Sequence, residues 1–198
     1  MVMVVYHNLL FCQVHQHSAA CNASANIILH RYETNVQETG SNVCLLLKEF
    51  SQVKCIKFHG SEVLTKSNMT VLPKFAMLSH LDVGIVSGEV LLGLLQKTPV
   101  LTILDFKGIS EFNEELLNSA VVPDCLTSSL QVVKFGTVHG SENELRLAKF
   151  FMENGVVLER TSFSLYGKST VIEEFKEKLY SFKKGVSFAI LEFKEKMY

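Results

Sequence analysis

Four residues near the start of the chain carry the side chains of a metal site: Cys12, His15, His17 and Cys21. Thiolate and imidazole are the donors zinc prefers, but a structural zinc site clamps a loop between two separated ligand pairs. These four sit close together in a stretch with no periodic element on either side, so the reading is chance enrichment and no metal. Two cysteine–histidine pairs, Cys55 with His59 and Cys125 with His139, have the chemistry of a thiolate nucleophile and its base. A reactive thiol needs a cationic, partly exposed setting. Cys55 falls instead inside the strand-like run VKCIKF and Cys125 among apolar neighbours, where cysteine acts as a small hydrophobe. No P-loop, GxSxG, HExxH or paired CxxC is present. The expectation is a non-enzyme with no catalytic, cofactor-binding or metal-binding residues and no cofactor.

The remaining polar candidates are charges at repeated positions. Asp82 and Asp105 each stand one residue before the apolar end of a short strand, in LSHLDV and LTILDF. Lys57 in VKCIKF and Lys134 in LQVVKF hold the matching place. Side chains alternate across a strand, so all four belong to the polar face, side by side if the strands are in register. Lys57, Asp82, Asp105 and Lys134 are therefore the candidate protein-binding set on a concave surface. The plainer reading is that solvent-facing strand positions are simply charged.

Those positions come from a repeat. Six segments share the pattern apolar-x-x-apolar-x-apolar, beginning at residues 53, 78, 101, 130, 158 and 188, with offsets of 25, 23, 29, 28 and 30. Helical patterns fall between them: Val43–Phe50, Gly88–Gln96, the stretch after Ser141, and Thr170–Phe182. Ser141 with Glu144 three residues on is a capping box. Leu145, Leu147, Ala148, Phe151 and Met152 make the apolar side of that helix, and Glu144, Arg146, Lys149 and Glu153 are expected to face water. In the last helix Val171, Phe175, Leu179 and Phe182 are expected inside. A strand, loop and helix recurring every 20 to 30 residues is the mark of a leucine-rich-repeat solenoid. Such units cannot bury their apolar faces alone and must stack. The predicted fold is thus α/β, a leucine-rich-repeat-like solenoid with a curved parallel sheet and helices on its convex side. Leu81, Leu104, Val133, Leu158 and Leu191 are expected to be buried. A doubly wound α/β sheet is the competitor, although no Gly-rich turn follows a strand as its nucleotide-binding forms require.

The domains read as 1–42, a poorly organised N-terminal segment that stays out of the core apart from one edge strand near Met1–Tyr6; 43–118, degenerate repeats; and 119–198, a unit that continues and caps the solenoid. The 198 residues carry a net charge of −1, which gives no electrostatic case for nucleic acid or an anionic membrane. Five cysteines without paired spacing suit reduced thiols and a cytoplasmic or nuclear setting. No apolar run reaches the roughly 18 residues of a membrane span. Asn22-Ala23-Ser24 and Asn68-Met69-Thr70 fit the glycosylation pattern, which matters only on a secretory route.

Four stretches carry a more specific likeness: LLGLLQKTPVLTILDF, EELLNSAVVPDCLTSSLQVVKF, GSENELRLAKFFMENGVVLERTSF and EEFKEKLYSFKKGVSFAILEF. Over about Leu45–Phe193, and specifically from Val121 on, the chain resembles the plant F-box proteins that carry leucine-rich repeats and a C-terminal FBD domain. The resemblance implies the target-recognition part of a substrate receptor in an SCF-type ubiquitin ligase, with no catalytic residues to carry over. In that family an N-terminal F-box grips the SCF adaptor. Met1–Asn42 contains no proline and no F-box-like pattern, so adaptor and cullin are expected as partners only if an F-box is supplied upstream. The partner implied is a target protein of unknown identity. A stand-alone or truncated binding protein acting as a decoy is the alternative, ahead of an α/β enzyme.

Overall fold

The computed structural model describes residues 2–4, 12–14, 24–28, 36–111, 117, 121–183 and 190–196. Seven strands form one parallel sheet in sequence order: β3 (Ser24–Ile28), β4 (Cys55–His59), β5 (His80–Val86), β6 (Ile103–Ile109), β7 (Val132–Val138), β8 (Arg160–Tyr166) and β9 (Ile190–Lys196). The short strands β1 (Val2–Val4) and β2 (Cys12–Val14) pair antiparallel as a two-stranded sheet of their own, with β2 lying near β3. The described helices are α1 (Val36–Glu49), α2 (Lys66–Val71), α3 (Gly88–Gln96), α4 (Asp124–Ser128), α5 (Glu142–Asn154) and α6 (Ser169–Lys183), each in a connection between neighbouring strands. Sequential order with every neighbour parallel is the topology of an open solenoid, and the leucine-rich-repeat-like reading holds.

Each of the six recurring patterns becomes one strand, β4 to β9. Its first apolar residue seals the strand entry, as Leu78, Leu101, Leu130 and Leu158 do. Its next two point from the sheet toward the helices. In-register rows result: Ile56, Leu81, Leu104, Val133, Thr161 and Leu191, then Phe58, Val83, Phe106, Phe135, Phe163 and Phe193. In the second row the rings pack along the sheet, Phe106 edge-on to Phe135 with centroids 4.7 Å apart, then Phe135–Phe163 stacked at 4.7 Å and Phe163–Phe193 stacked at 5.7 Å. Leu81, Leu104, Val133 and Leu158 are buried as expected. Leu191 on the last strand is only partly buried, since it has a neighbour on one side alone. Hydroxyls tie adjacent strand entries laterally: Thr102 Oγ1 donates to the Ser79 carbonyl at 2.7 Å, and Ser79 Oγ to that of Lys54 at 3.1 Å.

The N-terminal segment differs from expectation. Residues 24–28 are a full member of the sheet, paired with β4, and Ala25 and Ile27 are buried. Helix α1 already begins at Val36, well before the expected boundary at residue 43. The apolar face of β4 needs cover on both edges, and β3 supplies it with two alternating side chains.

Helix faces follow the sequence with two changes. Ser141 caps α5, yet Glu144 turns back rather than outward: its carboxylate accepts from the backbone N–H of Ser141 at 2.8 Å and of His139 at 3.1 Å, leaving the residue 9% exposed. Orphan donors at the helix start draw it inward. In α6 Ile172 takes the buried place expected of Val171, alongside Phe175 and Leu179. Gly93 lies inside α3 because a Cβ there would sit 2.4 Å from Met69 Cγ of α2; the lost helix propensity is exchanged for close helix approach.

Thr161 occupies the leucine-like place in its row, 0% exposed and with no hydrogen-bond partner for Oγ1 among the described residues. A buried hydroxyl left unsatisfied costs about 1–3 kcal/mol. Thr161→Val, which keeps the shape, is expected to raise stability by about 1 kcal/mol in urea unfolding. A loss of stability would mean the hydroxyl has a partner.

Candidate protein-binding face

The other face of the sheet carries the polar row. Register places Asn26, Lys57, Asp82, Asp105, Lys134, Ser162 and Glu192 side by side across all seven strands. All four residues singled out by repeat position thus share one row. They also pair: Lys57 Nζ lies 3.8 Å from Asp82, and Lys134 Nζ 3.5 Å from Asp105. The central carboxylates are neighbours, flanked by one cation on each side. Partial burial, then the charge of Asp105, raise the Asp82 carboxyl above its ordinary range, while His59, Lys57 and His80 pull it back. His80, beside Asp82 on β5, is pushed below the usual imidazole range by burial and Lys134, against the pull of both aspartates.

Toward β9 the face changes character. A shallow trough of about 490 Å³ opens there over β6 to β9. Its floor is short: Gly136, Ser162 and Ser164. Its rim holds Lys134, Arg160, Glu192 and Lys194, with Arg160 Nη1 3.2 Å from Glu192. A local irregularity shapes the floor. The pairing of β7 with β8 moves from Phe135–Phe163 to Val138–Leu165, so β7 holds one extra residue after Phe135. A Cβ on Gly136 would meet Lys107 Cα at 3.0 Å, which accounts for glycine at that point. Repeat spacing alone missed Ser162, Ser164 and Lys194, because none is distinctive in its own strand.

Burial works against a thiolate at both of the reactive-looking cysteines. It raises the Cys55 thiol, which Lys57 lowers and Asp82 raises further. Burial pushes Cys125 up to about 12 and Cys44 up to about 11. Cys125 and His139 lie at opposite ends of β7, one in the helix before it and one just after it. His15, His17 and Cys21 lie outside the described residues, as do the side chain of Cys12 and the structure of Tyr6. Among the described residues no three His, Cys, Asp or Glu side chains gather to hold a metal, and no helix is long and apolar enough to cross a membrane. Asn68 is 6% exposed and its Oδ1 accepts from the Thr65 N–H at 2.8 Å, so the second glycosylation pattern is enclosed by the fold.

The FBD family pattern matches residues 118–163. An F-box/FBD/LRR-repeat protein of Arabidopsis thaliana is 35% identical over 115 residues, covering 54% of this chain and 26% of the relative. A second protein of that description from the same plant is 36% identical over 94 residues, 45% of this chain and 21% of the relative. An FBD-associated F-box protein, also from Arabidopsis thaliana, is 33% identical over 103 residues, 50% of this chain and 22% of the relative. The chain spans about a quarter of the length of these curated relatives. No solved structure matches it. Over α4, β7, α5 and the start of β8, and in the wider match around them, this chain is homologous to the plant F-box/FBD/LRR-repeat proteins.

Proposed function

We propose that the chain is a non-catalytic protein-interaction module that takes a target on the open face of its sheet. The observation that carries this reading is the charged row Lys57, Asp82, Asp105 and Lys134, held in register on a face that no described helix covers. A solenoid sheet presents a broad, rigid, regularly spaced surface, and charges on it steer and select a partner more than they supply affinity. Homology with F-box/FBD/LRR-repeat proteins supports a place in target recognition for a ubiquitin ligase. Linked to an F-box, the module would bring its target to the adaptor and cullin; without one it would compete for the same target as a decoy. Localisation to cytoplasm or nucleus accords with either role.

The test uses proximity labelling from plant cells expressing the full chain, then purified binding of the target recovered. Asp82→Lys with Asp105→Lys is expected to weaken that binding at least about tenfold, the size of a lost charge-complementary contact. Lys66→Glu on α2 should leave it within about twofold, because exposed pairs contribute little. Equal loss in both variants, or in neither, would remove the open face as the binding surface. Adaptor and cullin recovered with the target would mark a working receptor, and target alone a decoy.

A further inference from the structure

We propose that the trough over β6–β9 is an oxyanion-reading subsite, which takes an acidic segment of the protein partner through phosphoryl or clustered carboxylate groups. The proposal rests on the open-face reading above and adds the chemistry of what binds.

Three observations converge on the trough. First, its floor is short where the rest of the row is long. Lys57, Asp82, Asp105 and Lys134 give way to Ser162, with Gly136 and Ser164 beside it. A partner side chain can therefore approach the backbone of β7 and β8 closely. Second, the two floor hydroxyls are uncommitted. Ser162 and Ser164 are half-buried and make no side-chain hydrogen bond among the described residues. Both hydroxyls face the open trough, so each can exchange water for an acceptor on a partner. Third, the charges are unbalanced. Lys134 is matched by Asp105 and Arg160 by Glu192. Lys194, exposed on the trough rim, has no counter-ion among the described residues.

One hydroxyl pair and one unmatched cation suit an oxyanion, which accepts several hydrogen bonds at once and is held more strongly by charged donors than by neutral ones. The position along the sheet also has a direction. Asp105 lines the β6 end of the trough and adjoins Asp82, so an anion is repelled from that end. At the β8–β9 end the lining carboxylate, Glu192, is already paired with Arg160, and Lys194 is left for the anion. A segment lying across the strands would set its acidic group over Ser162, Ser164 and Lys194. A basic residue on the same segment would meet the paired aspartates.

The test is fluorescence polarisation with the full chain and labelled peptides: one phosphoserine flanked by glutamates, the same peptide with unmodified serine, and a lysine-rich peptide. Both acidic peptides should bind, more weakly as salt rises, and the lysine-rich one should not. Lys194→Glu should weaken binding about tenfold or more, the scale of one lost charge-assisted hydrogen bond. Ser162→Ala with Ser164→Ala should do so several-fold with the melting temperature unchanged. Lys48→Glu on α1 makes the same change in net charge on the helix side and should stay within about twofold. The ratio between the two acidic peptides tells phosphoryl from carboxylate recognition. Equal loss for Lys194→Glu and Lys48→Glu, or no binding of either acidic peptide, overturns the proposal. So does a short RNA that binds where the peptides do not. The target's response to Asp82→Lys with Asp105→Lys separates the two failures. If that loss persists while Lys194→Glu has no effect, the open face stands and the trough is wrong.

Discussion

Phe163→Ala should be among the most damaging single substitutions in this chain. The ring is 1% exposed and sits at the junction of three others: Phe135 at 4.7 Å, Phe193 at 5.7 Å and Phe175 of α6 at 5.8 Å. Truncating a buried phenylalanine costs about 3–5 kcal/mol through lost transfer energy and the cavity left behind. Each aromatic pair contributes a further ~0.5–1.5 kcal/mol, though not additively. At this chain length one kcal/mol shifts the melting temperature by about 2–4 °C, so a drop of roughly 6–20 °C is expected by calorimetry. Ser162→Ala, one residue away but on the open face, should leave it nearly unchanged. A Phe163→Ala protein that melts with the parent would mean the phenylalanine row does not hold the sheet to its helices.

That row is also why so much of the fold is legible in the sequence. A parallel strand under a single layer of helices must bury the residue at its entry and two alternating side chains after it. Apolar-x-x-apolar-x-apolar states this requirement directly, and it locates β4 to β9. β3 escapes because SANII offers only Ala25 and Ile27 to the core, and an alanine does not stand out as an apolar mark. Glu144 is legible in part. The capping box with Ser141 implies its return to the Ser141 N–H. Its second bond, from the His139 N–H, depends on where the chain arrives after β7, and that is what draws the carboxylate under cover. In α6 the choice between Val171 and Ile172 is a rotation of one residue, which periodicity over one helix does not resolve.

The binding face divides in the same way. Its charged row follows from repeat position, because register carries equivalent residues of successive strands to adjacent places. The trough does not, since it is made by missing bulk at Gly136, Ser162 and Ser164, together with the extra residue in β7. A depression is a relation between strands. No single strand's pattern contains it.

Phe175→Ala tests how the β9 edge of the described sheet is held. In a stack of repeats each unit contacts only its neighbours, so a strand at the sheet edge is covered from a single side. Helix α6 packs there with Ile172 at 3%, Phe175 at 2% and Leu179 at 0% exposure. Its outer residues hold β9 as well: Lys176 pairs with Glu195 and lies 5.6 Å from the Phe193 ring, and Tyr180 meets that ring at 5.9 Å. Phe175→Ala should therefore cost about 3–5 kcal/mol, as any buried aromatic does. The damage should be local first, because units at the sheet edge open without the rest. Hydrogen exchange should show β9 and α6 amides losing protection while β4 to β6 keep theirs. Ile172→Ala should act the same way at about 2–5 kcal/mol, and the exposed Glu177→Ala should stay within about 0.5 kcal/mol of the parent. If Val171→Ala proves more harmful than Ile172→Ala, the helix is rotated from the packing described, and β9 must be held by something other than Lys176 and Tyr180.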